Sequence, residues 1–198
     1  MSISFQRVYP GDRHLLKLSY RLRYRVYCLE CNFEDPDDHS DEMEYDEYDP
    51  HSIHFVALDN FQVIGTVRLV MNSPIGFPLE RHCDVQPGKT RYDRRGLAEV
   101  SRLAVGKSWR CSDVSLGLMR AVYQESKKIG IFYWYAAMER KLERLLRQLN
   151  VKFIQIGNVT HYHGPRIPYL GSVNEIESFV FLRNPQRFSY FQDGLPLH

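Results

Sequence analysis

At 198 residues, 43% of them hydrophobic and 25% charged, the chain can bury one core and sits too close to globular averages for wholesale disorder. It has no run of about 18 apolar residues, no basic-then-apolar leader, and only four cysteines. No membrane-spanning helix, secretory signal or disulfide framework is therefore predicted, and one cytoplasmic domain over residues 1–198 is expected.

The net charge of +2 hides an asymmetry, because residues 34–49 hold ten carboxylates and no Lys or Arg. That leaves 14 carboxylates against all 26 Lys and Arg elsewhere, with much of the excess between Lys89 and Arg147. A basic face of this kind attracts a polyanion: nucleic acid, a nucleotide such as coenzyme A, or an acidic carrier protein.

In chain order, Ile3 to Tyr9 alternates as a first strand and stops at Pro10-Gly11. Asp12 is placed to cap a helix whose apolar residues Leu15, Leu16, Leu18, Leu22, Val26 and Leu29 recur at helical spacing. The acidic stretch, residues 32–51, is poor in aliphatic residues and reads as an exposed loop or short helix. His54 to Leu58 and Val63 to Met71 form a hairpin turning at Asp59-Asn60. Asn72 to Gly96, with three Pro and three Gly, reads as a long connection, and long connections in compact domains often carry function.

Leu97 to Val105 is the next strand, and Val114 to Ile129 an amphipathic helix stopped by Gly130. Then come a buried strand at Ile131 to Ala137, a helix at Glu139 to Leu149, and strands at Val151 to Ile156 and Ile176 to Leu182. Residues 185–198 read as a peripheral tail. This order gives an α+β or mixed α/β domain, a sheet flanked by helices.

Three polar clusters interrupt apolar elements. The first is Arg21, Arg23 and Arg25; the second is Glu44 to Asp49; the third is Arg68 with Glu99-Val100-Ser101-Arg102. Charges inside a sheet are costly unless paired. Glu99 and Arg102 are three apart, so an ideal strand points them to opposite faces, and only a bulge brings them together. A solvated face of salt bridges is the structural alternative.

In this order and spacing, Arg23-x-x-Val26-Tyr27, Phe33, Glu44-x-Asp46-x-x-Asp49, Arg68 and Glu99-x-x-Arg102 resemble the acyl-homoserine-lactone (autoinducer) synthases. That family has Trp where Phe33 stands and usually Phe where Tyr27 stands. The chain is more similar to a sister group, the acyltransferases associated with the PEP-CTERM/exosortase system and the N-acyl amino acid synthases. The likeness runs through Tyr45-Asp46-Glu47-Tyr48-Asp49, Ser52-x-His54, Gly65-x-Val67-Arg68-Leu69-Val70, Pro78-Leu79-Glu80 and Ala98 to Val105. It covers roughly residues 15–135, with a weaker tail at Gly164-Pro165-Arg166-Ile167-Pro168.

The resemblance implies a GNAT fold, its mixed sheet splayed between strands 4 and 5, with an acyl thioester in the gap. It implies an N-acyltransferase moving a long-chain fatty acyl group from acyl carrier protein or acyl-coenzyme A to the amine of an amino acid. The acyl-phosphopantetheine is then a donor substrate, and no cofactor is permanently bound. Glu99 is the candidate base, since an amine must be neutral to attack a thioester. Backbone N–H groups near Leu103 and Ala104 would stabilise the oxyanion.

The phosphate-bearing arm would meet Val105, the loop Gly106 to Asp113 with Lys107 and Arg110, and the helix start at Gly117. That loop lacks the glycines of the common acetyltransferase loop, which fits a carrier-borne arm. Arg23, Asp46, Asp49, Arg68 and Arg102 would form a charged network ordering the acidic loop over substrate. Phe33, Trp134 and Tyr135 would line the pocket, with plain core packing as the other reading of these aromatics.

Other signals weigh less. Cys28-x-x-Cys31 has no second Cys pair, His161-Tyr162-His163 stands alone, and Cys111 is not needed for direct transfer, so neither metal nor covalent catalysis is expected. Lys127-Lys128 and Arg140-Lys141-x-x-Arg144-x-x-Arg147 read first as solvated helix faces, second as docking sites for an acidic carrier protein. Two alternatives remain beside the acyltransferase and the lactone synthase: a non-catalytic GNAT shell, and a basic nucleic-acid binder, for which no recognition motif is present.

Overall fold

A computed structural model describes residues 3–86, 92–110, 112–148, 151–161 and 164–175. Contacts divide them into two compact units, one formed by the residues up to Val70 with Ser101–Val122, the other by Met71–Val100 with the residues from Tyr123 onward. Eight strands make one mixed sheet, hydrogen-bonded in the order β1-β2-β3-β4-β5-β8-β6 with β7 on β8. The predicted strand at 176–182, the tail, Cys111, Tyr162 and His163 lie outside the described residues.

In the first unit, β1 (Ile3–Val8), β2 (Ser52–Asp59) and β3 (Gln62–Val70) are antiparallel neighbours. Asp59 stands opposite Gln62, so the turn is Asn60-Phe61, one residue later than expected. Asn60 supplies the left-handed conformation, φ 54°, that a two-residue hairpin needs. The apolar stripe of α1 (Arg13–Tyr24) packs onto this sheet: Leu22 and Val26 share a core with Val8, Val56, Leu58, Val63 and Ala104.

Two local expectations change. The Asp12 side chain accepts from the Tyr9 N–H at 3.4 Å and bonds no first-turn N–H of the helix. After Tyr24 the helix widens into a π-helical turn, Arg25–Glu30, with Cys31 N–H donating to Val26 C=O at 3.0 Å. The wider turn rotates the side chains within it relative to α1, so Leu29 leaves the apolar stripe for solvent.

α3 (Val114–Ile129) begins in this unit, with Val114 and Leu118 against Gly65. A Cβ on Gly117 would stand 2.1 Å from the Phe5 ring, so glycine is required there by close packing. Gly117→Ala is expected to destabilise by about 1–3 kcal/mol, since overpacking outweighs the gain in helix propensity. A thermal melt unchanged by the substitution would mean that Phe5 can move aside.

β4 (Leu97–Val105) matches its expected bounds and passes from the second unit into the first at Ser101. Its first three residues pair in parallel with Tyr133, Trp134 and Tyr135 of β5 (Tyr133–Met138). Gly130, φ 76°, ends α3 as predicted. In the long connection, α2 (Pro78–His82) is a helix not foreseen, and α4 (Arg140–Gln148) lies where expected.

The second unit also holds β6 (Phe153–Gln155), β7 (Thr160–His161) and an unforeseen strand β8 (Pro165–Ser172), antiparallel to β5 along all six of its residues. Its Pro165, Pro168 and Gly171 argue against a strand in isolation. Pro165 is the first residue, Pro168 offers its carbonyl to Ile156 N–H at 3.0 Å, and a Cβ on Gly171 would meet the Phe153 ring at 2.7 Å. Among the described residues, no helix is long and apolar enough to cross a membrane.

Candidate active site

Within the first unit, three arginines from three elements converge on the acidic segment. Arg23, on the inward face of α1, is 1% exposed. Its Nε meets Glu44 Oε2 at 2.5 Å, and its two terminal nitrogens take Asp49 Oδ1 and Oδ2 at 2.6 and 3.1 Å. Arg68, on β3 and also 1% exposed, forks onto Asp46 at 2.5 and 2.7 Å, reaches Asp49 at 2.9 Å, and donates from Nε to Ser101 Oγ at 2.9 Å. Arg102, on β4, donates to Glu44 at 3.0 Å and Glu34 at 3.2 Å, with Asp46 at 3.3 Å.

Such planar forks are what arginine supplies and lysine does not. The acidic segment is thus only partly the exposed loop expected. Residues 35–38 and 40–42 are exposed, but Glu44, Tyr48 and Asp49 are buried, the two carboxylates because guanidiniums match their charges. Left-handed residues, Asn32 (φ 51°) and Glu42 (φ 56°), turn the chain within the segment. Asp46 and Asp49 lock it further: Asp46 N–H donates to Asp49 Oδ2 at 2.7 Å, and Tyr48 N–H to Asp46 Oδ1 at 2.9 Å.

The strand around Arg102 departs from alternation, as a bulge would require. Arg102 has φ 53°, a conformation costing a non-glycine residue about 1–2 kcal/mol. Its guanidinium lies 5.7 Å from the Tyr27 ring centre, Tyr27 OH donates to Leu103 C=O at 3.0 Å, and the Phe33 ring is 6.1 Å from Tyr27. Phe33, Tyr27, Arg102 and Leu103 therefore adjoin. Ala104 and Val105 are buried and Lys107 is exposed. Arg110 donates to Val105 C=O at 3.1 Å and pairs with Glu30. Gly117 N–H is bonded to Asp113 C=O inside α3.

Electrostatics follow burial and pairing. Burial alone would raise the Glu44 carboxyl, but Arg23 and then Arg102 overcome it and lower it from the usual 4.5 to about 2. Asp49 is likewise opposed by burial and carried below the carboxylate range by Arg23 and Arg68. His54, whose Nε2 lies 3.1 Å from Asp49 C=O, is pushed below its usual 6.5, first by burial and against the pull of Asp49.

All three groups take up protons less readily when folded than when unfolded, so each stabilises above its unfolded value and loses that contribution as pH falls. Stability is expected to decline steadily from about pH 6.5 downward, and the Glu44 share to vanish near pH 2. A urea midpoint flat between pH 7 and pH 3 would contradict this.

The second unit holds Glu99, 2% exposed, whose Oε2 accepts the Leu79 N–H of α2 at 2.8 Å. Its cross-strand neighbour is Tyr135, fully buried, whose hydroxyl has no hydrogen-bond partner among the described residues. Burial, then the Glu80 charge, pushes that phenol up to about 12. The Phe77 ring meets Tyr135 edge-on at 5.6 Å. Cys83, a buried free thiol, is pushed up to about 11 by burial and by Glu99. Trp134 bonds Ser126 Oγ at 2.9 Å, and as a strand neighbour of Tyr135 it faces the opposite side of the sheet.

Sequence reasoning did not single out Glu44, Glu34 or Ser101 as site residues. Glu44 stood inside the acidic motif, Glu34 at the start of the acidic stretch and Ser101 inside the Glu99 to Arg102 cluster, but only the fold shows which arginine each one meets. Cys28 and Cys31 are free thiols, and burial raises Cys28 to about 11, away from the thiolate that metal or redox chemistry needs. Among the described residues, no group of three or more His, Cys, Asp or Glu is disposed to hold a metal ion.

A family model described as "N-acyl amino acid synthase FeeM" matches residues 19–170. Comparison with curated proteins gives no match. Among solved structures, the CoA-dependent acyl-homoserine lactone synthase MesI is similar at 22% identity and TM-score 0.71, covering 94% of this chain and 95% of that one. FeeM, an N-acyl amino acid synthase from uncultured soil microbes, is similar at 18% identity and TM-score 0.64, covering 91% and 96%. The AHL synthase LasI is similar at 19% and 0.68, covering 87% and 90%. These likenesses establish a GNAT-like fold, and with the family match over residues 19–170 the chain belongs to the FeeM N-acyl amino acid synthase family and is an acyltransferase.

Proposed function

We propose that the chain transfers a long-chain fatty acyl group from the thioester of acyl carrier protein or coenzyme A to the amine of an amino acid. The observation that carries this reading is the pair formed by Glu99 and Tyr135. A desolvated carboxylate and a phenol kept protonated lie side by side on neighbouring strands, and the phenol hydroxyl lacks a partner among the described residues. A buried hydroxyl without a partner costs about 1–3 kcal/mol, a cost that a bound substrate removes.

In this reading the amine binds there, Glu99 accepts its proton directly or through water, and Tyr135 donates a hydrogen bond to the acceptor. The nitrogen attacks the thioester carbonyl. Backbone N–H groups near Leu103 and Ala104 stabilise the oxyanion, and collapse of the intermediate releases the carrier thiol. Arg23, Arg68 and Arg102 hold the acidic segment in place through Glu44, Asp46 and Asp49. Lys107 and Arg110 support the phosphate end of the donor, Arg110 by exchanging Glu30 for phosphate. The whole chain acts as one catalytic domain.

Mass spectrometry of organic extracts from cells overexpressing the protein tests this, with Glu99→Gln as control. N-acyl amino acids absent from the control are expected. An acyl-lactone formed only with S-adenosylmethionine would assign the other chemistry of the structural relatives, and unchanged extracts would overturn a small-amine acceptor.

A further inference from the structure

α1 carries a feature that the network does not use. Its sequence has no acidic residue, and Arg13, Lys17, Arg21 and, just beyond it, Arg25 follow one another at every fourth position. All four side chains are exposed, and none takes part in an ion pair among the described residues. Each like-charged i, i+4 step costs roughly 0.2–0.5 kcal/mol, so the stripe weakens its own helix. It runs about 18 Å along the surface, at a rise of about 1.5 Å per residue.

Beside the stripe lies an open groove of about 620 Å³, lined by Leu18, Arg21, Leu22, Arg25, Phe61 and Val63, with Asp59 its one carboxylate. Phe61, the second turn residue of the β2–β3 hairpin, is 95% exposed. The groove adjoins the start of the donor loop. Leu22 Cδ1 would be 3.9 Å from a Cβ on Gly106, and Gly106 N–H donates to Ile64 C=O, next to Val63, at 2.9 Å.

We infer that this face of α1, with Phe61, is the docking surface for a small acidic acyl carrier protein, which presents its phosphopantetheine arm toward the neighbouring loop at Gly106. The inference rests on the proposed thioester donor. Charge complementarity selects the partner: a helix bearing carboxylates at the same four-residue spacing matches the stripe, and an apolar side chain beside them covers Phe61. Nucleic acid fits less well, because only four cations are aligned and the groove beside them carries a carboxylate, Asp59. The site differs from the basic helix stretches at Lys127-Lys128 and Arg140 to Arg147.

The test measures binding of a labelled, phosphopantetheine-bearing acyl carrier protein by fluorescence anisotropy at two salt concentrations, so it needs no turnover. Arg21→Glu/Arg25→Glu is expected to weaken binding roughly tenfold or more and to flatten its salt dependence. Phe61→Ser is expected to weaken it without changing the salt dependence, and Arg140→Glu/Arg144→Glu to leave it unchanged. Melting curves establish that each variant is folded.

Binding lost through the Arg140/Arg144 pair instead, or insensitive to both α1 charges and Phe61, overturns the proposal. So does tighter α1-dependent binding of single-stranded DNA, or no carrier binding at all. N-acyl products made from acyl-coenzyme A without carrier binding would sink the docking surface alone. Carrier binding through α1 without any N-acyl product would sink the functional reading alone.

Discussion

Arg23→Ala is expected to lower the stability of the folded chain by about 3–5 kcal/mol, a large share of the roughly 5–15 kcal/mol that holds a typical domain together. The cause is what remains behind. Glu44 and Asp49 stay buried, and each loses its shortest charge-assisted bond. Arg68 and Arg102 already serve Asp46, Asp49, Glu44 and Glu34, so little spare positive charge can move in.

Arg23→Lys should recover only part of the loss, since an ammonium cannot bond Glu44 and both oxygens of Asp49 in one plane. Urea denaturation followed by circular dichroism measures both variants. A loss below about 1 kcal/mol for the alanine variant would mean that water or the neighbouring arginines relieve the buried carboxylates, and the network would then not be what holds the acidic segment.

Glu99→Gln is expected to reduce kcat by about 10²–10⁴-fold with little change in melting temperature. The substitution is nearly isosteric, and its amide oxygen can still accept the Leu79 N–H, so the local fold keeps its anchor. What disappears is the ability to take a proton. Raising the pH should therefore partly restore the variant, as more of the amine becomes neutral without help. A merely structural role for Glu99 would produce no such rescue. Turnover within about twofold of the unsubstituted protein would remove Glu99 as the base.

Much of the architecture was legible because it rests on local rules. The apolar residues of Leu97 to Val105, the apolar repeat of Val114 to Ile129 and the stop at Gly130 each name an element whose bounds the structure reproduces. The misses have a common physical origin. β8 carries two prolines and a glycine, and it becomes a strand only because β5 and β6 supply partners on both sides. The π-helical turn at Arg25–Glu30 is visible in no residue type. The turn at Asn60-Phe61 sits one residue on because pairing register, set by the whole hairpin with its bulge at Ala57/Leu58, outranks local turn preference.

The candidate site divides along the same line. By itself the sequence determined which charges are present and in what order: Arg23, the carboxylates of the acidic segment, Arg68, Glu99 and Arg102. It also determined that arginines inside a helix stripe and inside strands must find anions, because an unpaired charge there is too costly to keep. Only the tertiary structure decided the partners. Arg23 and Asp49 are 26 residues apart, Arg102 and Glu34 are 68 apart, and no periodicity links them. Pairing at such separations depends on where the sheet carries each guanidinium. The same holds for Glu99 and Tyr135, distant in the chain and made neighbours by a parallel register that neither strand specifies alone.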